Sequence, residues 1–156
     1  ITYLSVERQP ARASGSPLRS GKMPMTRKSI EVEGFSHGNL PIPAGSRVGP
    51  LLVTGGIHGL DLSGKEPGDA SAQSKRMFGN LKSILEAGGA SLEDVARITV
   101  YIKVPEVRSA LNDDWIEAFP DKDSRPARHT LVNEQLPGSM LIQCDAIAFV
   151  EEQHGE

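Results

Sequence analysis

The sequence predicts an α+β fold in which two helices cover one face of a mixed β-sheet. Two segments carry apolar residues at helical spacing, and several short segments are apolar throughout or alternate between apolar and polar residues, as strands do. Their order along the chain is strand, strand, helix, strand, helix, strand, strand. Because two helices can cover only one face of such a sheet, the other face must be buried in another way.

The first third of the domain predicts two strands and a loop. Residues 29–33 alternate and indicate a short strand, whereas residues 35–49 are rich in Gly and Pro and indicate a loop. Residues 51–54 are apolar and predict a buried strand. This strand ends at Gly55-Gly56, a pair typical of a place where the backbone comes close to another group. Residues 60–69 are expected to connect it to the first helix.

The middle of the chain predicts a helix, a strand and a second helix. Residues 71–87 form the clearest helix, which Gly88-Gly89 ends, and residues 91–94 have the pattern of a capping box. Residues 97–104 alternate and predict a strand with one apolar face. The second helix starts at Pro105, a residue suited to a first helical position, and ends by Pro120.

The last two strands are predicted at residues 128–133 and 140–150, joined by a type II turn at Pro137-Gly138. In the final strand, one side is apolar or small and is expected to meet the helices. The opposite side is still largely apolar, with two polar members: Leu141, Gln143, Asp145, Ile147 and Phe149. A face of this kind should not be left in water, so we expect it to be buried against other copies of the chain in a closed homo-oligomer.

Length and composition indicate one ordinary globular domain. The 156 residues are 38% hydrophobic and 24% charged, with a net charge of −3. We expect a basic N-terminal arm at residues 1–28, a single domain at residues 29–150 and a tail at residues 151–156. The arm holds six basic residues and one acid, so it carries +5 and the remainder −8. An acidic body argues against nucleic acid as the main partner.

The single cysteine and the absence of a long apolar run indicate where in the cell the protein is expected. Cys144 cannot form an internal disulfide, which fits a reducing compartment, and we expect a cytoplasmic protein. No apolar run approaches the length of a membrane span, so no membrane is expected as a partner.

Three polar residues stand inside the last two predicted strands: Arg128, Gln143 and Asp145. Polar groups in buried strands are costly unless they are paired or used. We interpret all three as aimed at a small-molecule site. A structural ion pair of Arg128, with Asp145 or with a neighbouring subunit, is the alternative.

Five motifs resemble the reactive intermediate deaminase family (Rid, also called YjgF-like or UK114-type). They are "LLVTGGI", "NLKSILEAGGASLEDVARITVYI", "LNDDWIEAF", "RPARHTLV" and "LPGSMLIQCDAIAFV", and together they cover about residues 48–150. The resemblance implies a chorismate-mutase-like fold with a mixed six-stranded sheet. It also implies a homotrimer with a central barrel of sheets and with sites between adjacent subunits. Active relatives hydrolyse enamines or imines derived from amino acids to a keto acid and ammonia, without a cofactor.

The resemblance also assigns site residues by position. The arginine that grips the substrate carboxylate corresponds to Arg128, and the glutamate that helps to activate water corresponds to Gln143. Substrate-binding positions fall on Thr130, Thr54, Gly55 and Asn112. A tyrosine expected in the loop before the strand has no convincing counterpart.

Gln143 is the main departure from the family pattern. An amide orients water but cannot take a proton, so Gln143 is interpreted either as a water-positioning residue or as a satisfied interface amide. Asp145 projects from the same side and is a second candidate, as are His37 and His58 in the Gly-rich loops. His129 should point away from Arg128. The histidines lack metal-ligand spacing, and no metal is expected.

Three functions follow from these residues. The first is a Rid-like deaminase acting on a small carboxylate-bearing substrate. The second is a trimer without catalysis that binds a small metabolite through Arg128 and regulates another process. The third is RNA cleavage, which the acidic body and the lack of aromatic stacking residues in the strands disfavour.

Overall fold

The chain folds into one seven-stranded sheet with two α-helices. The structure is a computed structural model, and it describes residues 25–61 and 66–152. The strands are β1 (Lys28–Ile30), β2 (Gly45–Val48), β3 (Leu51–Thr54), β4 (Ile57–His58), β5 (Val95–Ile102), β6 (Ala127–Val132) and β7 (Ile142–Phe149). The helices are α1 (Ala70–Ala87) and α2 (Arg108–Ala118), and short 3-10 turns occupy Leu92–Asp94 and Pro105–Val107.

The sheet has the order β1-β2-β3-β7-β5-β6, with β4 beside β7 in continuation of β3. Neighbouring strands are antiparallel, except that β5 and β6 are parallel. A parallel connection needs a crossover, and here α2 provides it. Strand β6 is therefore an edge strand whose helix-facing side lies beside α2.

The two faces of β7 differ as the sequence predicts. Ile142, Cys144, Ala146 and Ala148 are buried on the helix side, whereas Ile147 and Phe149 on the opposite side are 42% and 56% exposed. Both helices lie on the first side, where α1 contributes its apolar stripe: Met77, Phe78, Leu81, Ile84 and Leu85. The predicted α+β fold with one helix-covered face is thus confirmed, and the opposite face of the lone chain is open.

Close packing between β4 and α1 depends on one glycine. A Cβ atom at Gly59 would overlap the carbonyl group of Gln73 in the first turns of α1. The Asn80 amide, seven residues further along α1, donates to the carbonyl oxygen of His58 (2.9 Å). These contacts fix β4 and the loop after it against the helix.

Some details of the prediction were wrong. Residues 35–49 do not form a simple loop, because β2 lies within them, and the sheet has seven strands rather than six. Val104 was assigned to the apolar face of a strand, but β5 ends at Ile102 and Val104 is 40% exposed. The N-terminal arm falls mostly on residues 1–24 and the end of the tail on residues 153–156, outside the described residues, so their assignment stays a prediction.

Candidate active site

Arg128 lies on edge strand β6 with its side chain directed to α2. It stands opposite Ile98 of β5, a fully buried residue of the helix-covered face. Its Nη2 atom donates to Oδ1 of Asn112 (2.8 Å), and its Cζ atom lies 4.9 Å from the centroid of the Trp115 ring. A guanidinium at this distance from a tryptophan face is attracted by the ring electrons. Two residues of α2 therefore hold the Arg128 side chain.

This guanidinium has no acidic partner among the residues that the structure describes. Within residues 25–61 and 66–152, none of the ion pairs includes Arg128. Burial lowers the pKa of Arg128, and the positive charge of Arg108 lowers it further. Both effects disfavour a positive charge that has no counter-ion. A partly buried guanidinium held by a neutral amide and an aromatic ring is thus prepared to bind an anion.

The support from α2 was only partly predicted. Asn112 was a candidate for direct substrate binding, and the structure makes it the hydrogen-bond partner of Arg128. Trp115 also belongs to the core, since it is 9% exposed and its ring lies 4.8 Å from that of Phe119. Their spacing of three residues places both on one helix face, and this was the signal available in the sequence.

Gln143 lies on the open face of the sheet. It stands opposite Tyr101 of β5 and His58 of β4. Its side chain covers Gly56, where a Cβ atom would come within 2.6 Å of Nε2. Asp145 follows on the same face, where burial raises the pKa of its carboxyl group and the positive charge of Arg97 acts in the opposite direction. The open face thus carries an amide and a carboxyl group two residues apart.

Arg128 and Gln143 consequently do not meet within one chain. The register puts Arg128 and Thr130 on the helix side, opposite Ile98 and Val100, whereas Gln143 and Asp145 face the other way. An ion pair between Arg128 and Asp145 is therefore excluded in the chain itself. As predicted, His129 points away from Arg128, since it stands opposite Thr99.

The Thr54-Gly55 turn uses its polar groups internally. The Thr54 hydroxyl donates to the Gly55 carbonyl oxygen and accepts from the amide of Ala146, both at 2.9 Å. The amide of Gly55 donates to the carbonyl oxygen of Ala44 (2.8 Å). These bonds favour a structural role for the turn over direct hydrogen bonding to a substrate. The turn continues the contact with β7 beyond the end of β3.

His37 and His58 form an aromatic cluster with Phe35 beside this turn. Phe35 lies 5.2 Å from the ring of His37 and 5.0 Å from that of His58. His37 Nε2 donates to the carbonyl oxygen of Gly56 (2.6 Å), the residue that Gln143 covers. Nδ1 of His58 accepts from the amide of Leu60 (3.1 Å). The cluster supports the backbone under Gln143.

We expect this cluster to make stability depend on pH. Burial, and then the charge of His37, lower the pKa of His58 from 6.5, against a smaller effect of a backbone hydrogen bond at Ser36. Below pH 6.5 the unfolded chain therefore binds a proton that the folded chain resists. The free energy of unfolding should be highest above that pH and fall as the pH drops through it. Urea unfolding at pH 7.5 and 5.5 measures this difference.

A matched pair of variants tests the assignment. His58→Gln should lose part of the pH dependence, whereas His129→Gln, at an exposed position, should keep it. An unchanged dependence in His58→Gln would assign the effect to other groups.

Three further observations concern the cysteine, metal-binding groups and the helices. Burial strongly raises the pKa of the Cys144 thiol, so this cysteine is a poor nucleophile. In the part of the chain that the structure describes, no group of His, Cys, Asp and Glu side chains has the geometry of a metal site. Among the helices of the same part, none has the length and apolar character that a membrane crossing requires.

By its fold, the chain belongs to the class of α+β proteins with two helices on one face of a mixed sheet. A RutC family protein of Pyrococcus abyssi (strain GE5 / Orsay) is 36% identical over 113 residues, which cover 71% of this chain and 87% of that protein. A 2-iminobutanoate/2-iminopropanoate deaminase of Escherichia coli (strain K12) is 28% identical over 123 residues, 78% of this chain and 96% of that protein. The crystal structure of E. coli TdcF with bound serine is similar with a TM-score of 0.71 and 25% identity, covering 80% of this chain and 99% of that one.

The family model described as Endoribonuclease L-PSP matches residues 43–150. The chain therefore belongs to this family, which is the YjgF/RutC/Rid family, and the resemblance seen in the five motifs is confirmed.

Proposed function

We propose that this protein is an enamine/imine deaminase that converts a small carboxylate-bearing intermediate into a keto acid and ammonia. The observation that carries the proposal is Arg128, whose guanidinium has no counter-ion among the described residues and is held by Asn112 and Trp115 at the edge of the sheet. A planar guanidinium matches a carboxylate with two parallel hydrogen bonds. The relative named as a deaminase and the family member with bound serine support a ligand that carries a carboxylate.

The proposal requires an assembly, because Arg128 and Gln143 lie on opposite faces of one chain. We place the site between copies, with edge strand β6 of one subunit beside the open face of the next, in a homotrimer. Support comes from exposed apolar residues on that face, among them Val53, Ile147 and Phe149, which are 37%, 42% and 56% exposed. A carboxylate held by Arg128 would then come near Gln143 of the adjacent copy.

The reaction adds water to the carbon of the C=N bond. Water oxygen forms the C–O bond as the nitrogen takes a proton, giving a carbinolamine. The hydroxyl proton then moves to the amino nitrogen, the C–N bond breaks as the C=O bond forms, and ammonia leaves. Arg128 fixes the substrate carboxylate, and the Gln143 amide oxygen accepts a hydrogen bond from the attacking water. Asp145, about 7 Å along the strand at two steps, is a further group for the proton.

The test is the decay of imines that an amino-acid oxidase generates from its substrate. The protein should shorten the lifetime of the imine, measured by the trapping of the remaining imine with semicarbazide. Wild-type protein that binds keto acids saturably but leaves imine decay unchanged would overturn the deaminase. That result would support the metabolite-binding trimer instead.

Gln143→Glu is expected to raise kcat by about 10-fold or more, since a carboxylate can take the proton that an amide cannot. The change keeps the side-chain length over Gly56. Gln143→Leu removes the hydrogen bond to water and should lower kcat. Stopped-flow imine decay with both variants measures the two effects. If Gln143→Glu and Gln143→Leu both matched wild type while the protein remained active, Gln143 would have no part in handling water.

A further inference from the structure

Arg108 lies on the same helix face as the two residues that hold Arg128. It is the first residue of α2, four positions before Asn112 and seven before Trp115. Residues with these spacings share one face of a helix. Asn112 and Trp115 contact Arg128 directly, so this face of α2 is the one turned to the edge of β6. The Arg108 side chain is exposed.

The position of Arg108 is electrostatically unfavourable in three ways. Its positive charge faces that of Arg128, and the interaction of the two guanidiniums lowers the pKa of Arg128, second to burial. A cation in the first turn of a helix opposes the helix dipole. Within residues 25–61 and 66–152, the nearby acids Glu106 and Asp113 form an ion pair with neither arginine, and Asp114 pairs with Lys75.

Such an arrangement becomes favourable when a ligand brings more than one negative charge. A single carboxylate occupies one planar guanidinium through two hydrogen bonds and leaves the second arginine unsatisfied. A ligand with a second acidic group at the end of its side chain would satisfy both.

We propose that Arg108 is a second anion-binding residue of this site and that the protein acts on imines of dicarboxylic amino acids. This inference rests on the proposed function, in which Arg128 binds the carboxylate next to the imine carbon. Arg108 binds the distal carboxylate. It thereby selects an acidic side chain over an aliphatic one of the same length.

Two keto acids with the same five-carbon chain test the preference. The probe 2-oxoglutarate carries the distal carboxylate, and 2-oxopentanoate lacks it. The chain has one tryptophan, Trp115, whose ring lies 4.9 Å from the Arg128 guanidinium, so its fluorescence reports ligand at Arg128. We expect wild-type protein to bind 2-oxoglutarate about 5- to 10-fold more tightly than 2-oxopentanoate, the range for one partly exposed charge-assisted contact.

Variants separate the two arginines. Arg108→Gln should weaken the binding of 2-oxoglutarate by about 5- to 10-fold and leave the binding of 2-oxopentanoate unchanged. The preference would thereby be lost. Arg128→Gln should weaken the binding of both ligands. Arg27→Gln removes the same charge beside β1, at the opposite edge of the sheet, and should change neither.

The outcomes also distinguish this inference from the proposed function. Binding of both keto acids without preference, or equal weakening of both by Arg108→Gln, would overturn the role of Arg108 and leave the Arg128 site intact. Binding of neither keto acid to the wild-type protein would overturn both proposals. Equal competition by inorganic phosphate and 2-oxoglutarate would show a general anion site, which contradicts selection of a dicarboxylate.

Discussion

Arg128→Ala is expected to lower kcat/KM for imine hydrolysis by about 100-fold or more. The change removes the group proposed to fix the substrate carboxylate, and a lost charge-assisted, two-point contact at a partly desolvated site has an effect of this order. Arg128→Lys should recover little of the rate, because an ammonium group cannot form the same planar pair of hydrogen bonds or stack in the same way on Trp115. Initial rates of oxidase-generated imine decay over a range of substrate concentrations measure the ratio.

The control for this prediction is Arg27→Ala. It deletes the same charge just before β1, whereas Arg128 lies in β6 at the other edge. Its kcat/KM should stay within about twofold of wild type, as expected for a distant surface charge screened by salt. Circular dichroism and the Tm of Arg128→Ala should show that its fold is retained. A folded Arg128→Ala protein with wild-type kcat/KM would remove the basis of the proposed function.

The sequence predicts the faces of β7 well and those of β6 poorly. In β7 the alternation of apolar and polar residues is strict enough to assign Gln143 and Asp145 to the side away from the helices, and the burial agrees. In β6 the residues Arg128 to Val132 show no such alternation. The direction of Arg128 follows instead from its register against Ile98, a long-range property that no local pattern specifies.

The α2 residues near Arg128 were missed for a related reason. Trp115 and Arg108 are both ordinary helix residues until the position of β6 beside α2 is known, and only then does their shared face point to Arg128. Strand β2 was missed because Gly45 and Arg47 lie in a Gly- and Pro-rich segment. Its strand conformation comes from pairing with β1 and β3 on both sides.

Gln73 is a further residue that the prediction overlooked, although its position carried a signal. It precedes Met77 by four residues and Leu81 by eight, so it occupies the apolar stripe of α1, and it is fully buried. Nε2 donates to the carbonyl oxygens of Gly68 (3.0 Å) and Ser139 (2.9 Å), and Oε1 accepts from the amide of Leu141 (2.8 Å). One side chain thus connects α1 to Leu141, which immediately precedes β7.

Gln73→Leu is therefore expected to lower the free energy of unfolding by about 3 kcal/mol or more. Leucine is apolar and similar in size, so the carbonyl groups of Gly68 and Ser139 and the amide of Leu141 would lose their hydrogen bonds to this buried amide, and Gly68 and Leu141 are themselves half-buried. For a chain of this length the Tm should fall by about 10 °C. Urea unfolding followed by circular dichroism measures the change.

Gln135→Leu makes the same substitution at an exposed position and should have almost no effect. A loss in Gln73→Leu no larger than in Gln135→Leu would show that water or rearrangement satisfies the three groups. The entry into β7 would then not depend on this amide.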